Sequence, residues 1–238
     1  MIRHSVQEMN ILGIIPARGG SKGIPKKNIK KLNGKSLIEY TLIEAKKSKL
    51  LSDVIVSTDD KTILKISEKH SVNVLSRPKK LSTDSSTTTS VLFHTLNKLK
   101  KSKSVPDIIV LLQPTSPLRN SIDIDNAITI FLNNSCDSVV SVTKSQHSPF
   151  WIYKTTKTGH IIPILKNSVK FTRRQDSPLF YHLNGAIFVT KTTSFFKNCS
   201  MFGKKILPYI MPYERSIDID KNIDLKIAEF LLKTYKSI

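Results

Sequence analysis

The sequence predicts an α/β fold in which helices cover both faces of a doubly wound, mostly parallel sheet. Short apolar runs typical of buried strands occur at 11–15, 53–57 and 107–112. Segments with the apolar spacing of helices alternate with these runs, and this alternation favours a parallel sheet. Because ligands bind beyond the carboxyl ends of strands in such sheets, we expect the loops after residues 15, 57, 76 and 112 to form one site.

The predicted elements follow one another regularly along the first part of the chain. The Thr-Asp-Asp cluster at 58–60 is a natural N-cap and predicts where the second helix begins. In chain order, we expect strands at 11–15, 53–57, 72–76, 107–112, 138–142, 185–190 and 206–210, and helices at 36–48, 61–70, from about 88 onward, 121–133 and 222–235.

The alternation stops between residues 144 and 183. This segment has aromatic residues at 150–153 and a turn signal at Thr158 and Gly159. Exposed aromatics on an interrupting segment suggest an arm that packs against another subunit, although a β-excursion of the core fits the composition equally well. We therefore expect one domain, 1–238, with an inserted dimerisation arm at 144–183, and a homodimer.

Composition narrows the functional class. The formal net charge is +20, but 31 of the 38 cationic residues are lysines dispersed along the chain, without an aromatic-rich basic stripe. This argues against a dedicated nucleic-acid function. No apolar run approaches the roughly 18 residues of a membrane span, and the polar start of the chain predicts a cytoplasmic protein. Cys136 and Cys199 lack metal-ligand spacing.

The loop after the first strand predicts a phosphate-binding site. It combines three glycines with four cations, namely Gly19, Gly20, Gly23, Arg18, Lys22, Lys26 and Lys27. Glycines let backbone N–H groups approach an anion, and the cations suit a nucleoside triphosphate. The spacing matches neither the P-loop, G-x-x-x-x-G-K-[ST], nor the dinucleotide fingerprint, G-x-G-x-x-G.

Two later motifs also carry candidate chemistry. The segment 113–119, Gln-Pro-Thr-Ser-Pro-Leu-Arg, follows the most apolar strand, so Gln113, Thr115, Ser116 and Arg119 are expected to point toward the ligand. The segment 216–220, Ser-Ile-Asp-Ile-Asp, places two carboxylates on the same side of an extended chain, an arrangement that suits Mg²⁺. Helix capping is the alternative for Asp220, and we interpret the similar run at 122–125 as capping.

Four motifs resemble those of the acylneuraminate cytidylyltransferases, which are the CMP-sialic acid synthetases and relatives acting on other nine-carbon 2-keto acids. The motifs are 16–28 (Pro-Ala-Arg-Gly-Gly-Ser-Lys-Gly-Ile-Pro-Lys-Lys-Asn), 113–119, 184–188 (Asn-Gly-Ala-Ile-Phe) and 216–220. The resemblance extends from about residue 12 to 231. It implies a nucleotide-diphospho-sugar transferase fold, CTP and a nine-carbon 2-keto sugar acid as substrates, and Mg²⁺ as cofactor.

The resemblance also implies residue roles. The catalytic residues would be Arg18, Lys27 and Asp218, and the metal ligands Asp218 and Asp220. The nucleotide would be bound by Ala17, Arg18, Gly19, Gly20, Ser21, Lys22, Lys27, Asn28, Arg77 and Thr88. The sugar acid would be bound by Gln113, Ser116, Arg174 and Asn184. Arg174 would receive its carboxylate, a group that arginine binds bidentately.

The implied reaction is in-line attack of the anomeric hydroxyl on the α-phosphorus of CTP, with pyrophosphate leaving. Neither Asp218 nor a metal-bound water stands out as the general base. The residues that follow His147 depart from the family pattern, and so does Phe188 itself. Both positions lie on the sugar side, so legionaminate, pseudaminate and 3-deoxy-manno-octulosonate are alternative acceptors. A more distant alternative is a non-catalytic protein that binds nucleotides or polyanions.

Overall fold

The computed structural model describes residues 9–165 and 173–234, with only the backbone described at residue 174. The strands are β1 (Ile11–Pro16), β2 (Lys31–Leu32), β3 (Lys35–Ser36), β4 (Asp53–Thr58), β5 (Asn73–Ser76), β6 (Ile108–Leu112), β7 (Ser138–Lys144), β8 (Tyr153–Thr155), β9 (Ile161–Pro163), β10 (Tyr181–Lys191) and β11 (Ile206–Ile210). The α-helices are α1 (Leu37–Lys47), α2 (Lys61–Lys69), α3 (Thr88–Lys101), α4 (Ser121–Asn133), α5 (Thr192–Asn198) and α6 (Asn222–Thr234).

Seven strands form the central sheet in the order β11-β7-β10-β6-β1-β4-β5. Strand β10 is antiparallel to both of its neighbours, β6 and β7, whereas the other neighbouring strands pair in parallel. The prediction of a mostly parallel sheet is therefore confirmed. In β1, the register of Ile14 with Ile55 and Leu111 brings the ends of β1, β4 and β6 to one edge.

Alternate residues of the central strands enter different cores, so the sheet is covered on both faces. In β1, Ile11 and Ile15 join a buried cluster with residues of α1, α2 and α4. Leu12 and Ile14 join a second buried cluster with residues of α3 and α5. Helix α6 packs separately, through Leu225 and Ala228, on the side chains of the first loop and of α1. Both faces of the sheet are thus used, as the doubly wound prediction requires.

Helix starts are fixed by local sequence. Asp60 caps α2 and accepts hydrogen bonds from the amides of Thr62 (2.7 Å) and Ile63 (3.0 Å), as the Thr-Asp-Asp cluster predicts. Ser36 and Glu39 form a capping box at α1. Asp123 closes a similar box at α4, so capping in the segment 122–125 is confirmed.

Residues 144–183 differ most from the expected outline. The turn at Thr158 and Gly159 is present, and it joins β8 to β9 in a hairpin whose strand residues are all exposed. Strand β10 begins at Tyr181, earlier than the predicted 185, because its first residues pair with the end of β7. Helix α5 was not predicted, because its first residues are polar or β-branched and do not indicate a helix, although Phe195 is buried. No helix in the described ranges is long and apolar enough to cross a membrane.

Candidate active site

A cavity of about 490 Å³ opens at the carboxyl edge of the sheet, where the loops after β1, β5 and β6 converge. Its lining residues are Pro16, Arg18, Ser21, Lys22, Gly23, Lys27, Asn28, Arg77, Ser86, Thr88, Val91, Gln113, Pro114, Thr115, Asp220 and Lys221. The loop after β4 supports this edge from behind, because Asp59 accepts a hydrogen bond from the Gly19 amide at 3.2 Å. Three of the four predicted strand-end loops therefore line the cavity, and the fourth, after β4, contacts the first loop without lining it.

The glycines of the first loop have distinct surroundings. A Cβ on Gly23 would lie 2.5 Å from the carbonyl oxygen of Asp220, so only glycine lets these two backbones approach so closely. A Cβ on Gly19 would lie 2.8 Å from the Asp60 carboxylate. Gly20 has open space around it, and Ala17 is fully buried, with its amide bonded to the Ser57 carbonyl. The backbone of the loop is therefore held close to the loops beside it.

Each cation of the loop that lines the cavity contacts a carboxylate. Arg18 lies 2.7 Å from Asp84, and Lys22 lies 3.8 Å from the other oxygen of the same carboxylate. Lys27 donates to Asp220 (2.9 Å) and to the carbonyl of Ile219 (2.7 Å). Lys27 thereby fastens the segment 216–220 to the first loop.

Arg77 and Asn28 are buried between these loops. The Arg77 guanidinium donates to the carbonyls of Ser57 (2.9 Å) and Leu81 (3.4 Å). Burial lowers the pKa of Arg77, nearby Asp59 raises it and Arg18 lowers it further. Asn28 donates to the Arg18 carbonyl at 2.9 Å and so fixes the bend of the first loop. Both residues line the cavity and also stabilise its wall.

The two aspartates of the segment 216–220 flank a buried residue, Ile219, and both stay accessible, as an extended chain predicts. Surrounding atoms desolvate the Asp218 carboxyl and raise its pKa, a hydrogen bond from Thr115 lowers it, and the charge of Asp220 raises it. The amides of Asp220 and Lys221 both donate to Asp224. Asp224, in the first turn of α6, therefore binds the two amides that precede the helix, and Asp218 and Asp220 supply hard oxygen donors of the kind Mg²⁺ prefers.

A second cavity, of about 440 Å³, adjoins the first at this aspartate segment. Asp218 lines it, whereas Asp220 lines the first cavity. Its lining residues are His182, Leu183, Asn184, Gly185, Tyr213, Ser216, Ile217, Asp218, Asp224 and Ile227. Gly185 has a φ of 74°, and a Cβ there would lie 3.4 Å from Gln113 Oε1 and 3.9 Å from Asp218 Oδ2. The glutamine of one cavity and the aspartate of the other are therefore close together at Gly185.

The expected sugar-binding residues divide into two groups. Gln113 lines the first cavity, whereas Ser116 and Asn184 are buried. Asn184 Oδ1 accepts from the Ser141 hydroxyl (2.6 Å) and from the amide of Ala186 (3.2 Å), and its Nδ2 donates to the Ser216 hydroxyl (2.9 Å). Arg174 begins a short 3₁₀ helix, Arg174–Asp176, but its side chain lies outside the described part of the chain.

Arg119 does not point into the ligand cavity, so that expectation is wrong. It is fully buried and donates to the carbonyls of Gln113 (3.1 Å) and Ala186 (2.9 Å) and to the Thr41 hydroxyl (2.8 Å). Burial lowers its pKa to about 10, while the charges of Asp123 and Glu44 raise it. Arg119 therefore holds the backbone of Gln113 from below.

Sequence reasoning expected Thr115 to face the ligand and, from the resemblance, placed Asp84 in the segment that receives the cytidine, but it gave no role to Ser86. Ser86 and Thr115 line the first cavity, and Asp84 contacts its cations. The hydroxyl-rich composition of 82–88 indicated a polar loop without distinguishing its members. The position of each member depends on how α3 docks against the sheet.

A strand-end cavity lined by cations and Asp220, with Asp218 lining a second cavity, suits a nucleotidyltransferase. Residues 12–207 match the family model described as Cytidylyltransferase. The chain belongs to this family and is a nucleotidyltransferase.

Several relatives match most of the chain. It is 34% identical to the post-translational flagellin modification protein B of Campylobacter coli, over 94% of this chain and 95% of that protein. It is 32% identical to the CMP-N,N'-diacetyllegionaminic acid synthase of Legionella pneumophila, over 94% and 97%. An N-acylneuraminate cytidylyltransferase of Escherichia coli is 35% identical over 92% of this chain but only 51% of its own length.

Solved structures show the same fold. CMP:2-keto-3-deoxy-manno-octonic acid synthetase, complexed with CTP, superposes with a TM-score of 0.70 at 14% identity, covering 94% of this chain and 99% of that one. The 4-diphosphocytidyl-2C-methyl-D-erythritol synthase of Anaerococcus prevotii gives 0.67 at 17% identity, covering 96% and 98%. These likenesses show that the chain shares the fold of these two proteins, in agreement with the predicted fold.

Proposed function

We propose that this enzyme transfers CMP from CTP to the anomeric hydroxyl of an acylneuraminate-type nine-carbon 2-keto sugar acid and releases pyrophosphate. The observation that carries the proposal is that the segment 216–220 lines two cavities, the first through Asp220 and the second through Asp218. A transferase needs its two substrates side by side, with the reacting phosphorus at the junction. The relatives named for acylneuraminate and legionaminate chemistry support this choice of acceptor.

In this proposal the first cavity receives CTP. Arg18, Lys22 and Lys27 neutralise the triphosphate, and charge that develops on the leaving pyrophosphate is stabilised by the same cations. In the backbone of 17–21, the amides of Ala17 and Gly19 anchor the loop beside the phosphates, and Gly20 and Ser21 supply N–H donors. Asn28, Arg77 and Thr88 hold the nucleoside, and the positions of these three on the cavity wall support that role.

Asp218 and Asp220 would hold Mg²⁺, the cofactor we propose. The donor set fits, because the two carboxylates repel each other and the charge of Asp220 raises the pKa of Asp218. A bound cation would neutralise this repulsion. When bound, the ion neutralises phosphate charge and orients the triphosphate. Lys27 contacts Asp220 in this structure, so it links the acidic pair to the cations of the first loop.

The second cavity, together with Gln113, would receive the sugar acid. Gln113 contacts the acceptor directly, and Arg174 binds its carboxylate. Asn184 and Ser116 act from buried positions by shaping the wall around Gly185. The anomeric oxygen forms its bond to the α-phosphorus as the bond from that phosphorus to pyrophosphate breaks.

We also propose that the protein works in the cytoplasm as a homodimer, with the segment 144–183 as the contact. Apolar side chains exposed on or beside this segment support the interface, because exposed apolar patches of this kind mark contact surfaces. They are Ile152, Tyr153, Ile161, Ile162, Ile164, Leu165, Leu179, Tyr181 and Leu183.

Legionaminate is the second candidate acceptor. The legionaminic acid synthases of Legionella pneumophila and Campylobacter jejuni match over 97% and 94% of their own lengths. The acylneuraminate enzyme of Escherichia coli matches over about half of its length. The relatives named for legionaminic acid therefore make the legionaminate-type acceptor the first alternative to test.

The test is pyrophosphate release from CTP with Mg²⁺ and a panel of acceptors: N-acetylneuraminate, legionaminate, pseudaminate and 3-deoxy-manno-octulosonate. We expect release with one of the first three acids and its loss when the metal is chelated. The matched control replaces CTP by UTP. Binding of CTP without release for any acid would favour a non-catalytic nucleotide-binding protein instead.

A further inference from the structure

Asp84 contacts the phosphate-binding loop from outside the nucleotide cavity. Its Oδ1 lies 2.7 Å from Arg18 Nη1, and its Oδ2 lies 3.8 Å from Lys22 Nζ. Both cations line the cavity, whereas Asp84 is absent from the described residues that form its wall. One carboxylate therefore bridges two ligand-facing cations from behind.

The loop that carries Asp84 also contributes to the wall of the cavity. Ser86 and Thr88, a short distance further along the chain, line its wall. The loop is anchored at both sides: the Ser86 hydroxyl donates to the Lys80 carbonyl (3.2 Å), and the Thr87 hydroxyl caps α3 through the Ser90 amide (3.1 Å). The contact with Arg18 thus joins the proposed triphosphate end of the cavity to the proposed nucleoside end.

We propose that Asp84 is a positioning residue that prepares Arg18 and Lys22 for the triphosphate. The charge of Arg18 acts unfavourably on Arg77, so the cavity gathers cations that repel one another before a ligand arrives. A carboxylate on one side of the Arg18 guanidinium offsets this repulsion and leaves other N–H groups for phosphate oxygens. The inference rests on the proposed function, because it requires CTP as the ligand.

The direction in which one substitution changes CTP affinity distinguishes this role from a simple effect of charge. Removing a negative charge beside a triphosphate site should strengthen binding if long-range attraction alone decides. Loss of a positioning contact should weaken binding, because Arg18 and Lys22 then lose their orientation. If Asp84 only blocked the cations until CTP displaced it, removing its charge would also tighten CTP binding.

The experiment measures CTP binding by calorimetry, with Mg²⁺ present, for the full chain and its Asp84→Asn variant. We expect the dissociation constant to rise about fivefold, the effect of losing one ordered ion pair. In steady-state assays the KM for CTP should rise similarly, while the KM for the sugar acid stays unchanged. Asp84→Glu should recover most of the affinity, because it restores the carboxylate.

The matched control is Glu229→Gln, which removes an exposed ion pair to Lys233 of similar length, 2.8 Å, away from the cavity. It should leave CTP binding unchanged. In an Arg18→Ala background, Asp84→Asn should change CTP affinity less than twofold, because the shorter of its two contacts is already gone and only the 3.8 Å contact with Lys22 is left to lose. Melting temperatures should stay within about 3 °C, since exposed ion pairs contribute little stability.

Unchanged or tighter CTP binding by Asp84→Asn would overturn the positioning role, as would a failure of Asp84→Glu to restore affinity. An equal loss of affinity in the presence and absence of Arg18 would do the same. If the wild-type protein itself does not bind CTP, the proposed function fails, and this inference fails with it.

Discussion

The nucleotide end and the acceptor end of the site are built in different ways. At the nucleotide end, parallel strands deliver loops to one edge, and each cation of the first loop that lines the cavity already contacts a carboxylate. At the acceptor end, two expected ligands, Ser116 and Asn184, are buried, while Leu183, Tyr213 and Ile227 are exposed beside the second cavity.

This difference indicates which of the two substrate-binding regions a single chain can build without a partner. Phosphates are bound by backbone N–H groups and cations at strand ends, which a parallel sheet gathers within one chain. The acceptor end presents apolar side chains to solvent, at an energetic cost unless another surface covers them. Substitutions at each end can test whether the nucleotide end is self-contained and whether, as we propose, a second subunit completes the acceptor end.

The largest effect is expected from Arg18→Ala. Removal of a preorganised donor to the phosphates should lower kcat/KM at least roughly 100-fold. Arg18 is partly exposed and its ion pair to Asp84 lies near the surface, so the melting temperature should change little. Pyrophosphate release and thermal denaturation check the two expectations, and near-normal activity would remove Arg18 from the site.

A substitution in the aspartate pair should change metal binding without destabilising the fold. Asp218→Asn should lower turnover roughly 100-fold and weaken binding of Mn²⁺, used as a paramagnetic substitute for Mg²⁺, because a neutral amide attracts a cation less. Relief of repulsion in the pair should leave stability equal or slightly higher. Electron paramagnetic resonance titration measures the metal, and unaltered Mn²⁺ affinity would contradict the assignment.

At the acceptor end, Asn184→Ala should act mainly on stability. The side chain is buried and bonded to Ser141, Ala186 and Ser216, so its removal takes the side-chain acceptor from the Ala186 amide and one partner from each of the two hydroxyls. We expect the free energy of unfolding to fall by about 2 kcal/mol. Urea denaturation measures this change, and CTP affinity below the melting transition should be unaltered. A fully stable variant with a raised KM for the acid would instead indicate direct contact.

The arm should control assembly. Ile161→Arg places a charge on an exposed apolar position of the hairpin, so we expect a shift from dimer to monomer with unchanged CTP affinity. Ile122→Arg is the matched control, because Ile122 is equally exposed, at 65%, but lies on α4. Light scattering after size exclusion measures the mass. A dimer unaffected by Ile161→Arg would place the interface elsewhere.

The smallest effect is expected from Ser36→Ala, in the nucleotide half. Burial raises the pKa of Glu39, but hydrogen bonds from Ser36 and His70 and the charge of Lys31 outweigh it and lower the pKa to about 2. Because the folded pKa lies below the ordinary 4.5, this carboxylate stabilises the fold above that pH, and the contribution is lost as the pH falls toward 2.

Ser36→Ala should therefore cost about 1 kcal/mol at pH 7, the usual value of an N-cap. The difference from the wild type should shrink during acid titration below pH 4.5, the range in which Glu39 is protonated in the unfolded chain. Ser102→Ala, at the exposed end of α3, serves as the control and should change stability by less than about 0.5 kcal/mol. A pH-independent difference would exclude the linkage to Glu39.

Much of the nucleotide end could be predicted from local sequence. Gly23, Lys27 and Gln113 all line the cavity that the strand-end rule anticipates. Asp60 caps α2 where the Thr-Asp-Asp cluster indicated. These predictions succeed because turn residues, helix caps and apolar runs determine the structure of residues only a few positions away in the chain.

The acceptor end could be predicted less well. Arg119 looked like a ligand-facing residue, yet it is fully buried beneath Gln113. Strand β10 begins earlier than expected, and its antiparallel direction cannot be read from its apolar pattern. Both features depend on neighbours distant in sequence, whose identity no local pattern specifies.

The sequence by itself determined the α/β class, the helix starts and the chemical types gathered in each motif. Hydrophobic periodicity and capping are local, so they are readable without coordinates. Only the tertiary structure decided that Asp84 meets Arg18, that Lys27 meets Asp220, and that Gly185 lies between Gln113 and Asp218. Such contacts join residues far apart in the chain, and their geometry is set by how strands order themselves in the sheet and helices pack upon it.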